Sequence, residues 1–323
     1  MRTDDAFSVS VETLEKKFAD FVAVNKITFS VKPGEIFGFL GPNGAGKSTT
    51  IRMLCGILSP TSGKGQVGGY DIIRQQDRIK ENIGYMSQKF SLYNDLTVEE
   101  NINFYSGIYR IPKDKIAKRK EWVLQMAGLT DLRSSFTYTL SGGWKQRLAL
   151  GCAIIHEPQI VFLDEPTSGT DPISRKRFWD LIKAMTKEGV TVFVTTHYME
   201  EAENCDRIAL IYQGGIIAAG SPSELKNNFM KEQVLQIRMP GIDDWLKKLS
   251  SIESVKDAAL FGDSAHLITL NAQATGEKVR EFFLQSNLKD YTIKEIAPSL
   301  EDVFVSLIET NDREKHYNES GKS

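Results

Sequence analysis

Cysteine is scarce: the chain of 323 residues carries three, Cys55, Cys152 and Cys205, with no C-x-x-C pair among them. An odd, scattered set excludes a disulfide framework and a thiolate zinc site, and reads as small buried side chains in a reducing compartment. Also lacking is any run of the roughly 18–20 apolar residues that a spanning helix needs. The richest stretch, Glu35-Ile-Phe-Gly-Phe-Leu-Gly41, is strand-sized. The opening MRTDDAFSVSVETLEKK has no apolar segment, so no secretion signal is expected. Charge of one sign is lacking too: 40 Lys and Arg against 42 Asp and Glu leave a net charge of -2. That balance gives no global reason to expect nucleic-acid binding. What is present, 41% hydrophobic and 25% charged residues, suits a globular chain of about two domains and excludes collagen-like, low-complexity and mainly disordered classes.

No internal repeat is found. Through about residue 220, short apolar runs alternate with helical patterns. Ile36–Leu40, Ile160–Leu163, Val192–Thr195 and Ile208–Ile211 read as strands buried on both faces. Ile51, Leu54, Cys55 and Leu58 recur at helical spacing, as do Phe178, Leu181, Ile182 and Met185. The second helix has Asp171 placed as N-cap and Pro172 at its first position. This alternation predicts an α/β fold with a largely parallel sheet covered by helices. The stretch from about Phe90 to Ile155 lacks strand runs and reads as a helical insertion, with helices over Val98–Tyr109 and Lys113–Ala127. A polar stretch at Lys226–Glu232 sets the expected boundary near residue 228. Beyond it the order β-α-β-β-α-β-α predicts a small ferredoxin-like α+β domain over 229–310. The polar residues 311–323 are expected to be a disordered tail.

Gly41-Pro42-Asn43-Gly44-Ala45-Gly46-Lys47-Ser48-Thr49 matches G-x-x-x-x-G-K-[ST], the phosphate-binding loop. Glycines let the backbone wrap closely around phosphates with N–H groups inward, and a helix starting near Lys47 adds the positive end of its dipole. Lys47 would neutralise β/γ-phosphate charge, and Ser48 offers a hydroxyl to Mg²⁺. A chance Gly-rich turn is the plain alternative; the strand-like run before and the helical pattern after weigh against it. Ile160-Val-Phe-Leu-Asp164-Glu165 ends an apolar strand in two acids. Such a strand presents both carboxylates at the edge where open α/β sheets bind ligands. Asp164 is placed to hold Mg²⁺ and Glu165 to polarise an attacking water, although the pair could simply cap the next helix. Ser141-Gly142-Gly143 opens an amphipathic helix and makes a further anion site or a plain N-cap.

Together, Leu140-Ser-Gly-Gly-Trp-Lys-Gln-Arg147 and the preceding motifs resemble the ABC-type ATPases over roughly Val9 to Leu225. In that resemblance Gln88 matches the Q-loop glutamine, a ligand to Mg²⁺ and part of the catalytic set. Ser168–Asp171 matches the D-loop, His197 the switch histidine, and Phe18 the aromatic that stacks on adenine. The sequence departs from the family pattern at Phe18 (commonly tyrosine), Trp144 (often smaller or unbranched) and Thr170 (commonly leucine). None of these removes a catalytic group, so ATP hydrolysis is expected.

The resemblance implies that one subunit's phosphate loop and Asp164/Glu165 edge hold Mg-ATP while a second subunit's Ser141–Gly143 caps the γ-phosphate. With one such set, this chain must pair with itself or a similar chain. Chains of this kind energise a separate membrane permease from the cytoplasmic face, as peripheral subunits. Phe90, Leu92, Tyr93 and Leu96 supply apolar contact beside the Q-loop for a permease groove, or are core of the insertion. Ala297-Pro-Ser-Leu-Glu-Asp-Val-Phe-Val305 resembles the end of ABC-2-type, daunorubicin-resistance-like exporter subunits. The alternative is a soluble ABC-type ATPase acting on ribosomes or DNA. Against it stand the single ATPase unit, the short spacing of about 90 residues between phosphate loop and signature without sustained heptads, and the near-neutral charge. A small-molecule kinase sharing the phosphate loop is disfavoured by the Ser-Gly-Gly signature and His197.

Overall fold

A computed structural model describes residues 7–229 and 232–320, with the side chains of 314–320 undescribed. The chain divides into two compact units after Ser221.

The first unit opens with an antiparallel hairpin, β1 (Val9–Phe18) and β2 (Phe21–Val31), turning at Ala19 with φ 49°. There follow β3 (Ile36–Leu40), α1 (Lys47–Leu54), β4 (Ser62–Val67), β5 (Tyr70–Asp71), α2 (Gln76–Asn82) and β6 (Ile83–Met86). The helical insertion supplies α3 (Val98–Ile108), α4 (Lys113–Ala127) and α5 (Gly142–Ile154). The core resumes with β7 (Ile160–Asp164), α6 (Pro172–Lys187), β8 (Thr191–Thr196), β9 (Arg207–Tyr212) and β10 (Gly215–Gly220). A six-stranded sheet runs β10-β9-β3-β8-β7-β6, parallel except for the β9–β10 hairpin. A second, four-stranded antiparallel sheet runs β2-β1-β4-β5; the alternating β/α pattern of the sequence did not announce it.

All residues of β3 and β7 are buried, as expected for inner parallel strands covered on both faces. Phe29 of β2 stacks on Phe37 of β3, and Phe39, Phe193 and Phe162 extend the aromatic cluster that joins the two sheets. Each fully buried Phe contributes on the order of 1.5–3 kcal/mol through removal from water. α6 packs against the parallel sheet through buried Phe178, Ile182 and Met185. Its start is as read: Asp171 accepts from the Ser174 N–H at 2.9 Å and Pro172 sits in the first turn. α3 begins with a reciprocal Thr97/Glu100 capping box, and α4 ends at Gly128 with φ 67°. Val98 and Ile102, Val123 and Leu124, and Leu148 and Cys152 make the insertion's own core. α1 stops at Cys55, one turn earlier than the spacing to Leu58 suggested; Leu58 packs on the core from the following segment.

The second unit begins with α7 (Pro222–Phe229), where the sequence reading placed a polar link from residue 226. It continues through β11 (Gln233–Arg238), a 3₁₀ turn at Ile242–Trp245, α8 (Leu246–Ser250), β12 (Asp257–Phe261), β13 (Ser264–Thr269), α9 (Ala272–Gln285), β14 (Thr292–Ile296) and α10 (Leu300–Ser320). Its antiparallel sheet has the order β12-β13-β11-β14, the split βαβ arrangement that the element order predicts. Leu235, Ile237, Leu267, Val279 and Phe283 form its core on the α8/α9 face. From the other face His266 reaches Asp302 of α10, Nδ1 to Oδ1 at 2.8 Å. α10 runs to Ser320, into the stretch 311–323 that the sequence reading expected to be a disordered tail. Residues 321–323 lie outside the described part. No helix among the described residues is long and apolar enough to cross a membrane. All three cysteines are free and buried.

Candidate functional site

In the parallel sheet β3 pairs with β8 and β8 with β7, so their carboxyl ends lie side by side. The phosphate loop follows β3, Asp164 and Glu165 end β7, and His197 follows β8. Strand order alone thus gathers residues far apart in sequence at the ligand-binding edge.

The loop's shape depends on its glycines. Gly46 has φ 106°, and a Cβ there would lie 2.4 Å from the carbonyl oxygen of Ala23; at Gly41 a Cβ would lie 2.2 Å from that of Ile211. Helix α1 starts at Lys47 with no side-chain cap and no acid in its first turn. Its leading N–H groups and its dipole are therefore turned to an anion supplied from outside the helix. Lys47 is only 4% exposed and folds back over the loop. Its Nζ donates to the Gly41 carbonyl at 2.8 Å and the Pro42 carbonyl at 3.1 Å, and lies 3.1 Å from Glu165 Oε1.

Ser48 Oγ donates to Asp164 Oδ1 at 3.0 Å, and Thr195 Oγ1 donates to the same oxygen at 2.7 Å. Burial pushes the Asp164 carboxyl above its ordinary range; the Thr195 and Ser48 hydroxyls pull it back, the Glu165 charge adds to the rise and Lys47 opposes it. Hard oxygen donors from Ser48 and Asp164 beside a phosphate cradle fit Mg²⁺.

Glu165 adopts φ 47°, a left-handed conformation rare for its type and concentrated at functional sites. Its N–H is held by Thr195, at 3.1 Å to the carbonyl and 3.0 Å to Oγ1. Its Oε2 accepts from Gln88 Nε2 at 3.1 Å and lies 3.1 Å from His197 Nδ1. An ionised carboxylate only accepts hydrogen bonds, so Nδ1 carries the proton and Nε2 of a neutral ring is an acceptor. One carboxylate thus meets a lysine, an amide and an imidazole at the floor of the cleft.

The cleft has a volume of about 410 Å³. One wall is Phe18 and Phe21, 47% and 63% exposed, which pair across the β1–β2 turn. Lys16 Nζ stands 5.1 Å from the Phe18 ring centre. Exposed aromatic faces beside a phosphate cradle suit a flat base.

Two family models match, ABC transporter over residues 24–168 and ATP-binding protein DrrA1-3-like, C-terminal domain, over residues 220–308. The linearmycin resistance ATP-binding protein LnrL of Bacillus subtilis (strain 168) is 36% identical across 93% of this chain and 97% of its own length. The chain belongs to the ATP-binding proteins of ABC transporters. The probable multidrug ABC transporter ATP-binding protein YbhF of Escherichia coli (strain K12) is 48% identical over 75% of this chain, a match spanning 43% of that relative's length. The daunorubicin/doxorubicin resistance ATP-binding protein DrrA of Streptomyces peucetius is 37% identical over 74% of this chain and 72% of its own. Among solved structures, cbiO1 from Clostridium perfringens superposes with TM-score 0.64 at 28% identity over 76% of this chain and 95% of its own. A dimeric ATP-binding cassette bound to ADP and Pi gives TM-score 0.60 at 27% identity over 66% of this chain and 98% of its own.

Within this family fold, Phe18, Asn43, Gly44, Gly46, Lys47, Ser48, Thr49, Gln88 and Glu165 line one cleft. Asp164 and His197 join it through their bonds to Ser48 and Glu165. Gly41 and Pro42 join it only through carbonyls that accept from Lys47, and buried Ala45 closes the loop by an N–H bond to the Pro42 carbonyl at 3.2 Å. Ser141, Gly142, Gly143 and Asp171 do not line it. Ser141 is the N-cap of α5 with no side-chain cap bond, while Asp171 caps α6. Three contributors escaped the sequence reading: Phe21, Thr195 and Tyr198, whose ring packs 4.1 Å from that of His197. For Phe21 a signal existed, the Phe-Ala-Asp-Phe spacing across a tight turn; Thr195 and Tyr198 flank motif residues but carry no pattern of their own.

Proposed function

We propose that the chain hydrolyses Mg-ATP and, paired with a second ATPase subunit, drives a separate membrane permease from the cytoplasmic face as the ATP-binding subunit of an ABC-2-type exporter. The observation that carries the hydrolytic part is the Glu165 carboxylate, 6% exposed, held at one point by Lys47, Gln88 and His197. In this reading the phosphate loop binds the triphosphate and Lys47 exchanges Glu165 for phosphate oxygens. Glu165, so released, orients and deprotonates the attacking water. Gln88 and the Nδ1–H of His197 fix the carboxylate's direction. Mg²⁺, held by Ser48, Asp164 and Gln88, would supply charge neutralisation between the β- and γ-phosphates. Phe18 and Phe21 seat the base. Ser141–Gly143 and Asp171 do not line their own cleft; with Ser141, Gly142 and Asp171 exposed, they are left to meet the nucleotide and loop of a partner ATPase.

The exporter assignment is supported by the second unit, which matches the C-terminal domain of DrrA1-3-like proteins, and by relatives named for a multidrug ABC transporter and for linearmycin and daunorubicin/doxorubicin resistance.

The test uses Glu165→Gln in the full chain. Mg-ATP should still bind, steady-state hydrolysis should fall roughly 10²–10³-fold, and the ATP-loaded variant should retain a multi-helix membrane protein in near-equal amount from solubilised native membranes. Wild-type turnover by the variant would overturn the role of Glu165. Ribosomal or DNA-bound material in place of a permease would overturn the transport reading.

A further inference from the structure

The switch histidine does not stand alone. Tyr198 packs its ring against His197, with centroids 4.1 Å apart. Across Tyr198 lies Arg175 of α6, its guanidinium carbon 4.6 Å from the ring centre. Arg175 is itself only 20% exposed and is steered by two acids: Nη1 lies 2.6 Å from Glu200 Oε1 and Nε 3.4 Å from Glu201 Oε1. Glu201, 2% exposed, also accepts from Thr167 Oγ1 at 2.5 Å. Thr167 lies in the loop between β7 and α6, whose later residues, Ser168–Asp171, match the D-loop. The segment after β8 is therefore tied to that loop through Thr167 and Glu201 and to α6 through Arg175, and the Arg175 link reaches His197 by way of Tyr198.

We infer that Arg175 is a positioning residue for His197: by lying on Tyr198, it makes the imidazole's place against Glu165 follow the place of α6. The inference rests on the hydrolytic reading above and adds to it a mechanical route. α6 begins at the loop that would face the partner ATPase, so a shift of that loop on dimer closure would reach His197 through Arg175 and Tyr198 without moving the phosphate loop. A cation lying on an aromatic face suits this task, because it resists lateral slip while leaving the ring free to remain packed on its other neighbour. Among the described residues, the hydrogen bond, ion pairs and ring contact of Arg175 go to Glu200, Glu201 and Tyr198, and its effect on His197 passes through Tyr198.

The first experiment follows the imidazole directly. In full-length protein labelled at its four histidines, the His197 ring resonance is identified by its loss in His197→Gln. Tyr198→Ala removes the ring current and moves that resonance. Arg175→Ala should move it in the same direction, and the Arg175→Ala/Tyr198→Ala pair should move it no further than Tyr198→Ala alone. An unmoved resonance in Arg175→Ala, with Tyr198→Ala shifting it, would overturn the inference whether or not the protein hydrolyses ATP.

The second experiment is kinetic. Arg175→Ala should lower kcat about tenfold with KM for ATP within about twofold, the signature of a misplaced reacting group in a bound complex. Tyr198→Phe, which keeps the ring face, should recover most of the rate that Tyr198→Ala loses. Equal losses in Tyr198→Phe and Tyr198→Ala, or a rise in KM with kcat unchanged, would overturn the route. Absence of hydrolysis in the wild-type chain would instead count against the hydrolytic reading, leaving the resonance test to decide on Arg175.

Discussion

Gly46 shows how tightly single residues govern the site. At φ 106° and with the Ala23 carbonyl 2.4 Å from where a Cβ would stand, the position tolerates only hydrogen. Gly46→Ala adds both a backbone strain of about 1–3 kcal/mol and a clash with main chain that cannot rotate away. We expect a fall of at least about 5 °C in the unfolding midpoint and at least about tenfold weaker binding of a fluorescent ATP analogue; unchanged binding would show that the loop has slack. Much of the site at this scale was legible in the sequence. Gly46, Lys47, Ser48, Asp164 and Glu165 each belong to a short local motif whose residue types suit phosphate, magnesium or water, whereas Gln88 and His197 were picked out only by the resemblance to the ABC-type ATPases. Thr195, Tyr198 and Arg175 were not legible. Their importance comes from neighbours contributed by distant segments, and a threonine, a tyrosine or an arginine in isolation carries no pattern.

Elements were legible where their signals are local. α3, α4 and α6 begin or end at caps and a left-handed glycine that the sequence displays. The antiparallel sheet was hidden for physical reasons: β1 is interrupted by register shifts and by Thr13 at φ 47°, and β4 reads Ser-Gly-Lys-Gly-Gln-Val, without the β-branched run that marks a strand. How the insertion meets the parallel sheet was equally hidden. There His156 Nε2 donates to the Ile83 carbonyl of β6 at 3.1 Å, and the ring stacks on Tyr109 at 3.7 Å. Burial lowers its pKa to about 4, with the Ile83 bond opposing the shift and Arg119 adding to it. The unfolded chain holds its proton up to about pH 6.5, so between pH 6.5 and 4 the unfolded state binds more protons than the folded one. Stability from this residue therefore falls as pH falls through that window. His156→Phe keeps the stacking and should abolish that part of the pH dependence, on the order of 1–3 kcal/mol, measured by denaturant unfolding at pH 7 and pH 5. An unchanged difference would place the acid sensitivity elsewhere.

At the scale of the whole molecule, the two units have separate hydrophobic cores, one built around the phenylalanines of the two sheets and the other around Leu235, Leu267 and Phe283. The order of strands and helices announced the second unit because each element is short and bounded by its own turn. It did not reveal α10 as the cover of the sheet's second face, since that role rests on His266 and Asp302, far apart in sequence. Burial alone would raise the Asp302 carboxyl; the bonds from His266 and Ser299 outweigh it and hold the group below its ordinary value of 3.8. A lowered carboxyl contributes stability above that value and loses it as pH falls through the lowered one. Asp302→Asn should therefore destabilise the second unit by on the order of 1–3 kcal/mol near neutrality, with the gap to wild type narrowing below about pH 3.8. Hydrogen exchange of peptides from 232–313 should report it, while peptides of the phosphate loop keep wild-type protection. Loss of protection in both would mean that the two units unfold together.

The phosphate loop also bears on how portable such a motif is. Its glycines are pressed against main chain from β2 on one side and β9 on the other, at Ala23 and Ile211. The first of these comes from the β1–β2 hairpin and the second from a strand some 190 residues further on. A transplant carrying only β3, the loop and α1 into another scaffold would keep every letter of the motif yet leave behind both walls of its mould.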